Sequence, residues 1–164
     1  MPYIYASEGD TVVEVKKSKL PGAGKGLFAK MHGLKKGDSV ALYFGVSVWK
    51  DQIDRGYYAS DYLLRKRGHP WIIDGADPLS CKGRWINDSL SLEKTNAEFV
   101  FPPMVEGGSF HAEIHLTKNV RKGTEIYISY GPTFWEDMRR HNSPGYTNLS
   151  QGDKNYIEDM INNA

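Results

Sequence analysis

Short apolar runs separated by turns constrain the fold of this chain more than any other feature of its sequence. Each run is rich in β-branched and aromatic residues, which is typical of strands. The predicted strands are Thr11–Lys16, Gly26–Lys30, Ser39–Val48, Trp71–Asp74, Ala97–Phe101, Phe110–Leu116 and Glu125–Tyr130. The glycines in Lys35–Asp38 and Arg121–Thr124 predict tight turns that lead into strands, and Glu106–Ser109 predicts a hairpin loop. We therefore expect a mainly β fold of several small sheets around irregular loops.

Helical patterns are few and short. Lys50–Arg55 and Phe134–His141 each predict a short helix, and Pro132-Thr133 precedes the second as its start signal. Apolar residues at helical spacing predict a C-terminal helix over Asp153–Asn162, with its first residue as the cap. Ser143–Gly152 is rich in Ser, Pro, Gly and Asn and is interpreted as a loop. Long helices do not alternate with the strands, which argues against a doubly wound nucleotide-binding fold.

Charge and cysteine content exclude several classes of protein. The 164 residues suit one domain, and a net charge of +1 gives no large basic field. The one short basic cluster, Arg65-Lys66-Arg67, is interpreted as a solvated edge, so we expect no direct nucleic-acid binding. The single cysteine, Cys81, excludes a disulfide within the chain and a cysteine-based zinc cluster. With no signal-type N-terminus and no apolar run near about 18 residues, we expect an intracellular protein of the nucleus or cytoplasm, with no membrane partner.

A glycine-rich turn at Gly22–Ala29 is the first of three segments that could carry chemistry. It does not match a phosphate-binding loop, because Lys25 is followed by glycine and a strand-like run instead of Ser or Thr opening a helix. Two interpretations stay open for the turn alone. It is either a plain connection between strands or a place where the backbone approaches a ligand closely.

The other two segments are equally ambiguous when they are taken alone. Gly83–Ser89 places polar side chains beside Trp85 and Ile86 and could form a capped helical turn. Lys122–Gly131 could be a strand that follows a glycine turn, with Tyr130 as an ordinary core residue.

Together and in this order, the segments resemble the motifs of the SET-domain protein-lysine methyltransferases. The matching segments are Gly24–Phe28, Tyr43–Gly45, Arg84–Leu90 with Asn96, and Gly123–Gly131. The resemblance covers roughly Val12–Trp135 and is strongest to the small viral histone-lysine methyltransferases, through Lys16–Leu20 and Glu125–Trp135. It implies a β-clip SET fold with small sheets around a pseudo-knot. It also implies a SET domain at 1–141, with a C-terminal loop and helix at 142–164 that close or flank the site.

The same resemblance implies an activity and its participants. S-adenosylmethionine would be the cofactor, and its methyl group would pass to a lysine of a protein, such as a histone tail. No metal is implied, and the viral relatives suggest a homodimer. The family's usual histidine and cysteine in the third motif are Asp88 and Leu90 here. The zinc motif that often follows the domain is absent, so Phe134, Trp135 and the C-terminal helix are the candidates to close the site.

The resemblance also assigns roles to individual residues. The predicted catalytic residues are Tyr130, whose hydroxyl would lie near the transferring methyl, and Tyr62. The predicted lysine channel is lined by Tyr43, Phe99 and Ile128. The predicted cofactor-binding residues are Gly24, Lys25, Gly26, Tyr62, Arg84, Asn87, Asp88, Tyr130 and Trp135. An aliphatic residue at 128, where relatives restricted to one methyl carry tyrosine, predicts that two or three methyl groups can be added.

Two other functions stay open at this point. Asp88 could mark a SET fold that has lost catalysis and binds a peptide or protein. A methyltransferase that acts on a non-histone protein would carry every one of the same motifs.

Overall fold

The computed structural model describes residues 11–78, 81–103 and 110–164. Within these ranges the chain forms nine strands, four α-helices and a single 3₁₀ turn at Gly83–Trp85. The strands are β1 (Val13–Lys17), β2 (Lys25–Ala29), β3 (Ser39–Tyr43), β4 (Val46–Trp49), β5 (Leu63–Arg65), β6 (Trp71–Asp74), β7 (Ala97–Val100), β8 (Ala112–Leu116) and β9 (Glu125–Ile126). The helices are α1 (Lys50–Asp54), α2 (Gly131–Arg140), α3 (Pro144–Thr147) and α4 (Gln151–Asn162).

The strands form three small antiparallel sheets. Their strand orders are β1-β2-β9, β3-β8-β7 and β4-β6-β5. The prediction of a mainly β fold of several small sheets, with few short helices and a C-terminal helix, is confirmed. The predicted strand at Trp71–Asp74 and the predicted turns at Lys35–Asp38 and Arg121–Thr124 are also confirmed, with Gly37 and Gly123 at φ values of 92° and 86°.

Three apolar clusters hold the sheets and helices together. The largest packs the first sheet against the second, and its fully buried members include Leu27, Ile114, Leu116 and Ile126. A smaller cluster joins the second sheet to the third around Ile73. The third cluster lies outside the sheets. There Trp135 of α2 and Ile157 of α4 pack on Leu90, so the C-terminal helices are attached to the segment that follows the 3₁₀ turn.

The predicted strand at Ser39–Val48 is wrong in one respect, because the chain breaks there into two strands of different sheets. β3 pairs with β8, whereas β4 pairs with β6. Between them, an ideal Cβ on Gly45 would lie 1.9 Å from the carbonyl oxygen of Asp74. Only glycine lets the two backbones approach this closely, so the crossing from one sheet to the next depends on it.

The strand predicted at Glu125–Tyr130 is shorter than expected. β9 ends at Ile126, and the chain continues through single parallel bridges from Tyr127 to Asn87 and from Ile128 to Ala97. A long-range contact therefore replaces a regular ladder in this segment.

Some predictions for the C-terminal region are wrong. The loop predicted at Ser143–Gly152 contains α3 and the start of α4. The cap of α4 is Ser150, whose Oγ accepts a hydrogen bond from the Asp153 N–H at 3.1 Å, so the predicted cap at Asp153 is wrong. Strand β5 was not predicted, since three residues are too few for a periodic pattern.

Other boundaries differ by one to three residues, as at Thr11–Lys16, where the strand runs from Val13 to Lys17. The hairpin loop predicted at Glu106–Ser109 lies outside the described residues. No helix in the described ranges is long and apolar enough to cross a membrane.

Replacing Gly45 with alanine tests whether this glycine allows the chain to pass from β3 in the second sheet to β4 in the third sheet. The added methyl group would overlap the Asp74 carbonyl, so we expect the free energy of unfolding to fall by about 1–3 kcal/mol in urea titrations. Gly152→Ala is the matched control, because only Ser150 Oγ, at 3.9 Å, lies near its new methyl group. In α4 that change should be neutral or stabilise by up to about 1 kcal/mol. Equal losses in the two variants would contradict the explanation.

Candidate active site

A cleft of about 1390 Å³ lies between the third sheet, the 3₁₀ turn and helix α2. Residues from seven separate parts of the chain form its wall. The predicted site residues on this wall are Lys25, Tyr43, Tyr62, Arg84, Asn87, Phe99 and Tyr130. The fold therefore brings to one cavity most of the side chains that the sequence singled out.

Tyr130 is held at both ends. Its hydroxyl donates a hydrogen bond to the Ile86 carbonyl oxygen at 2.5 Å, and its N–H donates to Asp88 Oδ2 at 2.9 Å. The ring packs edge-on against Phe134, with centroids 4.7 Å apart, and stacks on Trp135 at 5.9 Å. Burial raises the pKa of the Tyr130 hydroxyl well above its usual range, so this phenol stays neutral at physiological pH. Because the hydroxyl group of Tyr130 donates its hydrogen bond to the Ile86 carbonyl oxygen, the hydroxyl oxygen can still accept hydrogen bonds from a bound ligand.

Asp88 binds protein groups on three sides. Besides the Tyr130 N–H, Oδ2 accepts a hydrogen bond from Trp135 Nε1 at 3.0 Å, and Oδ1 accepts from the Leu90 N–H at 2.8 Å. Burial raises the pKa of the Asp88 carboxyl, and the three hydrogen bonds oppose that shift only in part. The carboxyl thus links Tyr130 to helix α2.

Glu125 is a buried carboxylate, only 2% exposed. Its Oε2 accepts a hydrogen bond from Ser18 Oγ at 2.7 Å. Its Oε1 accepts from the Lys19 N–H at 2.7 Å and from the Tyr127 hydroxyl at 3.0 Å. Burial and the nearby charge of Glu125 raise the pKa of Tyr127 to about 12. These donors satisfy a charge that would otherwise be costly to bury.

The glycine-rich turn packs directly on this carboxylate. An ideal Cβ on Gly26 would lie 2.4 Å from Glu125 Oε2, so a glycine is required there. Asn87 completes the arrangement, because its Nδ2 donates to the Lys25 carbonyl oxygen at 2.9 Å and lies 3.5 Å from Glu125 Oε2. The turn is therefore positioned by a polar cluster within the protein.

Arg84 supplies a buried positive charge to the cleft wall. Its guanidinium carbon lies 4.1 Å from the ring centroids of both Tyr62 and Trp85. Its Nε donates to the Gly75 carbonyl oxygen at 2.6 Å, while Nη1 has no hydrogen-bond partner among the described residues. On the cleft side, Lys25 Nζ lies 5.0 Å from the Trp85 centroid. Two cations and two aromatic rings thus share one stretch of wall.

Tyr43 and Phe99 form the adjoining part of the wall. Their rings meet edge to face with centroids 5.6 Å apart. The Tyr43 hydroxyl donates to the Tyr62 carbonyl oxygen at 2.6 Å, and burial raises its pKa far above the usual range. This side of the cleft is therefore aromatic and uncharged.

Some predicted site residues lie behind the wall. Ile128 is 1% exposed and belongs to the main core, and Trp135 is buried with its Nε1 bound to Asp88. The aromatic ring that α2 presents to the cleft is that of Phe134. Gly24 and Gly26 lie on either side of Lys25 and are not on the wall itself.

Sequence reasoning missed several residues that build the site. Trp85 lies on the cleft wall, and Glu125 anchors the glycine turn. Tyr58 and Ser60 also line the cleft, and both donate to the carboxylate of Asp74. Glu125 stands inside a motif that the sequence had singled out, so its charge in an apolar strand was a usable signal. Trp85 also stands inside a segment that the sequence had singled out, Arg84–Leu90, although no role was assigned to it. Nothing local distinguished Tyr58, Ser60 and Asp74.

No protein-family model and no curated protein matches the chain. In the part of the chain that the structure describes, no group of three or more His, Cys, Asp or Glu could hold a metal ion.

Glu125→Gln tests the anchor of the glycine turn. The amide keeps one oxygen but places an N–H₂ group among donors, so we expect a loss of about 1–3 kcal/mol in the free energy of unfolding. Glu14→Gln is the matched control, since Glu14 pairs only with Lys16 at the surface and should change stability by less than about 0.5 kcal/mol. Urea unfolding of both variants measures the difference, and equal effects would contradict the role given to Glu125.

Asp88→Asn tests the partly buried carboxyl of Asp88 through the pH dependence of stability. Because the native pKa is raised above the ordinary 3.8, the folded protein binds this proton more tightly than the unfolded chain. Its contribution to stability is therefore largest below pH 3.8 and declines as pH rises through the raised native pKa. The free energy of unfolding of wild type minus that of Asp88→Asn should decrease over this range in urea titrations. A difference that stays constant or grows with pH would show that the carboxyl is not strained by burial.

Proposed function

We propose that this chain is an S-adenosylmethionine-dependent protein-lysine N-methyltransferase with a SET-type fold. One observation carries the proposal. Tyr43, Tyr62, Phe99 and Tyr130, which come from distant parts of the sequence, line the same cleft as Lys25 and Asn87. An aromatic wall beside a polar, positively charged wall suits a lysine side chain on one side and a charged cofactor on the other.

The contacts of the Asn87–Ala97 segment support the proposed pseudo-knot. The Ile128 N–H donates to the Asn87 carbonyl oxygen at 3.0 Å, and the Ala97 N–H donates to the Tyr127 carbonyl oxygen at 3.1 Å. Asn96 reinforces them, since its Oδ1 accepts from the Tyr127 N–H at 2.8 Å. The chain after β9 thus runs between the two ends of one loop, as a pseudo-knot requires.

The chemistry of the wall fits S-adenosylmethionine. Lys25 and Arg84 offer positive charge to a carboxylate, and Nη1 of Arg84 has no acceptor within the described part of the chain. The Phe134 ring, which lines the cleft, suits a flat base. When bound, the cofactor supplies an electrophilic methyl group on a positively charged sulfur. The carboxyl of Asp88 is occupied by protein donors, so its backbone is the part left for the cofactor.

The aromatic wall addresses the main barrier of the reaction, which is the charge on the lysine. An ordinary pKa near 10.4 makes the neutral amine cost roughly 4.6 kcal/mol at pH 7. Burial against Tyr43 and Phe99 lowers the pKa of an amine, and the fixed charge of Arg84 acts in the same direction. Tyr130 is a neutral phenol and is not the base, so the proton leaves to water before transfer. The Tyr130 oxygen then orients the neutral amine by accepting its hydrogen bond.

A protein substrate has a place to bind beside the cleft. β5 is an edge strand of the third sheet, and Leu63, Leu64 and Arg65 line the cleft. An extended segment such as a histone tail can pair with an open strand edge and place a lysine among the tyrosines.

Tyr130→Phe tests the catalytic proposal. The variant keeps the ring and its packing but loses the oxygen that orients the amine, so we expect methyl transfer to fall by at least about 100-fold. Affinity for S-adenosylmethionine, measured by calorimetry, should be retained. Transfer is measured with labelled cofactor on mixed histones and on a peptide array, and Tyr57→Phe is the control because Tyr57 is 79% exposed.

Two results would overturn the proposal. Wild-type protein without measurable affinity for S-adenosylmethionine would remove its basis. Cofactor binding without transfer to any histone or arrayed peptide would favour a binding module with a SET-type fold.

A further inference from the structure

The peptide backbone of Tyr62 is held from both sides. Its N–H donates to Ser60 Oγ at 3.1 Å. Its carbonyl oxygen accepts from the Tyr43 hydroxyl at 2.6 Å and from the Gly75 N–H at 3.1 Å. Since Arg84 covers one face of the ring at 4.1 Å, these backbone contacts determine how far the ring reaches into the cleft.

Behind Tyr62 lies a carboxylate that the proposed reaction does not use. Asp74 is 5% exposed and stands at the end of β6, in register with Leu63 of β5. Its Oδ1 accepts from Ser60 Oγ at 2.8 Å and from the Ala76 N–H at 2.9 Å. Its Oδ2 accepts from the Tyr58 hydroxyl. Two donors of the segment before Tyr62 thus converge on one buried charge.

The segment from Tyr57 to Tyr62 has no regular secondary structure, and its residues alternate between exposed and partly buried. Tyr57, Ala59 and Asp61 are exposed, whereas Tyr58, Ser60 and Tyr62 are partly buried. The inward-facing side chains before Tyr62 are therefore the two that bind Asp74. Among the described residues no strand pairs with this segment before Tyr62. Its two links to the Asp74 carboxylate therefore act together with the contacts that the Tyr62 carbonyl oxygen makes with Tyr43 and Gly75.

We propose that Asp74 is a positioning residue that, through Ser60 and Tyr58, fixes Tyr62 and so sets the width of the channel for the amine. This inference rests on the proposed methyl transfer. A wider or looser channel changes how often a methylated amine can turn and react again. The ratio of mono- to di- and trimethylated product therefore reports on the position of Tyr62.

Ser60→Ala and Tyr58→Phe remove the two links singly. We expect kcat for methyl transfer to fall by about 10- to 100-fold, because a displaced Tyr62 would leave the amine out of line with the methyl group. The ratio of methylated products should also shift. Affinity for S-adenosylmethionine and the unfolding midpoint should stay close to those of wild type. Ser60→Thr, which restores a hydroxyl, should recover the wild-type product ratio, and Tyr57→Phe is the matched control for Tyr58→Phe.

Two measurements make the outcome decisive. Mass spectrometry of a peptide product gives the methylation ratio, and NMR hydrogen exchange gives the protection of the Tyr62 amide, which should drop in Ser60→Ala. If wild type transfers methyl groups while Ser60→Ala and Tyr58→Phe keep its kcat, product ratio and Tyr62 protection, the positioning role is overturned alone. If wild type transfers none, the proposed function fails and this role fails with it. Activity lost in proportion to stability, at an unchanged product ratio, would leave Asp74 a structural residue only.

Discussion

The buried carboxylate of Glu125 ties together the segments on which the candidate site depends. A charge with 2% exposure is tolerable only when donors surround it, and here they come from Ser18, Lys19 and Tyr127. The same oxygens fill the space that a side chain at position 26 would need. One electrostatic requirement thus fixes the loop after β1, the start of β2 and the end of β9.

A second carboxyl, that of Asp88, holds the C-terminal end of the stretch from Glu125 to Tyr130. From the end of β9 to Tyr130 the described backbone forms only single bridges, at Tyr127 and Ile128. Tyr130 is nevertheless anchored through both its hydroxyl and its N–H. The precision of the cleft therefore comes from buried polar contacts between distant segments, because the sheets themselves are small. Helix α2 also contributes to the position of Tyr130, because Trp135 and Tyr130 both donate hydrogen bonds to the Asp88 carboxyl.

Local patterns predicted the parts of the fold that local physics controls. The strand at Trp71–Asp74 and the turns around Gly37 and Gly123 follow from residue type and short-range geometry. The break at Gly45 could not be predicted, because it depends on the Asp74 backbone, which is remote in sequence. The family resemblance named seven residues of the cleft wall. It could not show that Phe134, and not Trp135, faces the cleft. The orientation of α2 is set by the third core cluster, in which Trp135 is buried.

The packing of Arg84 between two rings has a consequence for the environment in which the cleft works. Mobile ions weaken attractions between charges that water can reach, as in the surface pair of Lys50 and Asp54, but they act far less on a guanidinium that is only 6% exposed. The guanidinium group is held in place by two aromatic rings and by hydrogen bonds to two backbone carbonyl oxygens. The cleft should therefore keep its positive potential in concentrated salt, where the rest of the surface has lost most of its electrostatic character.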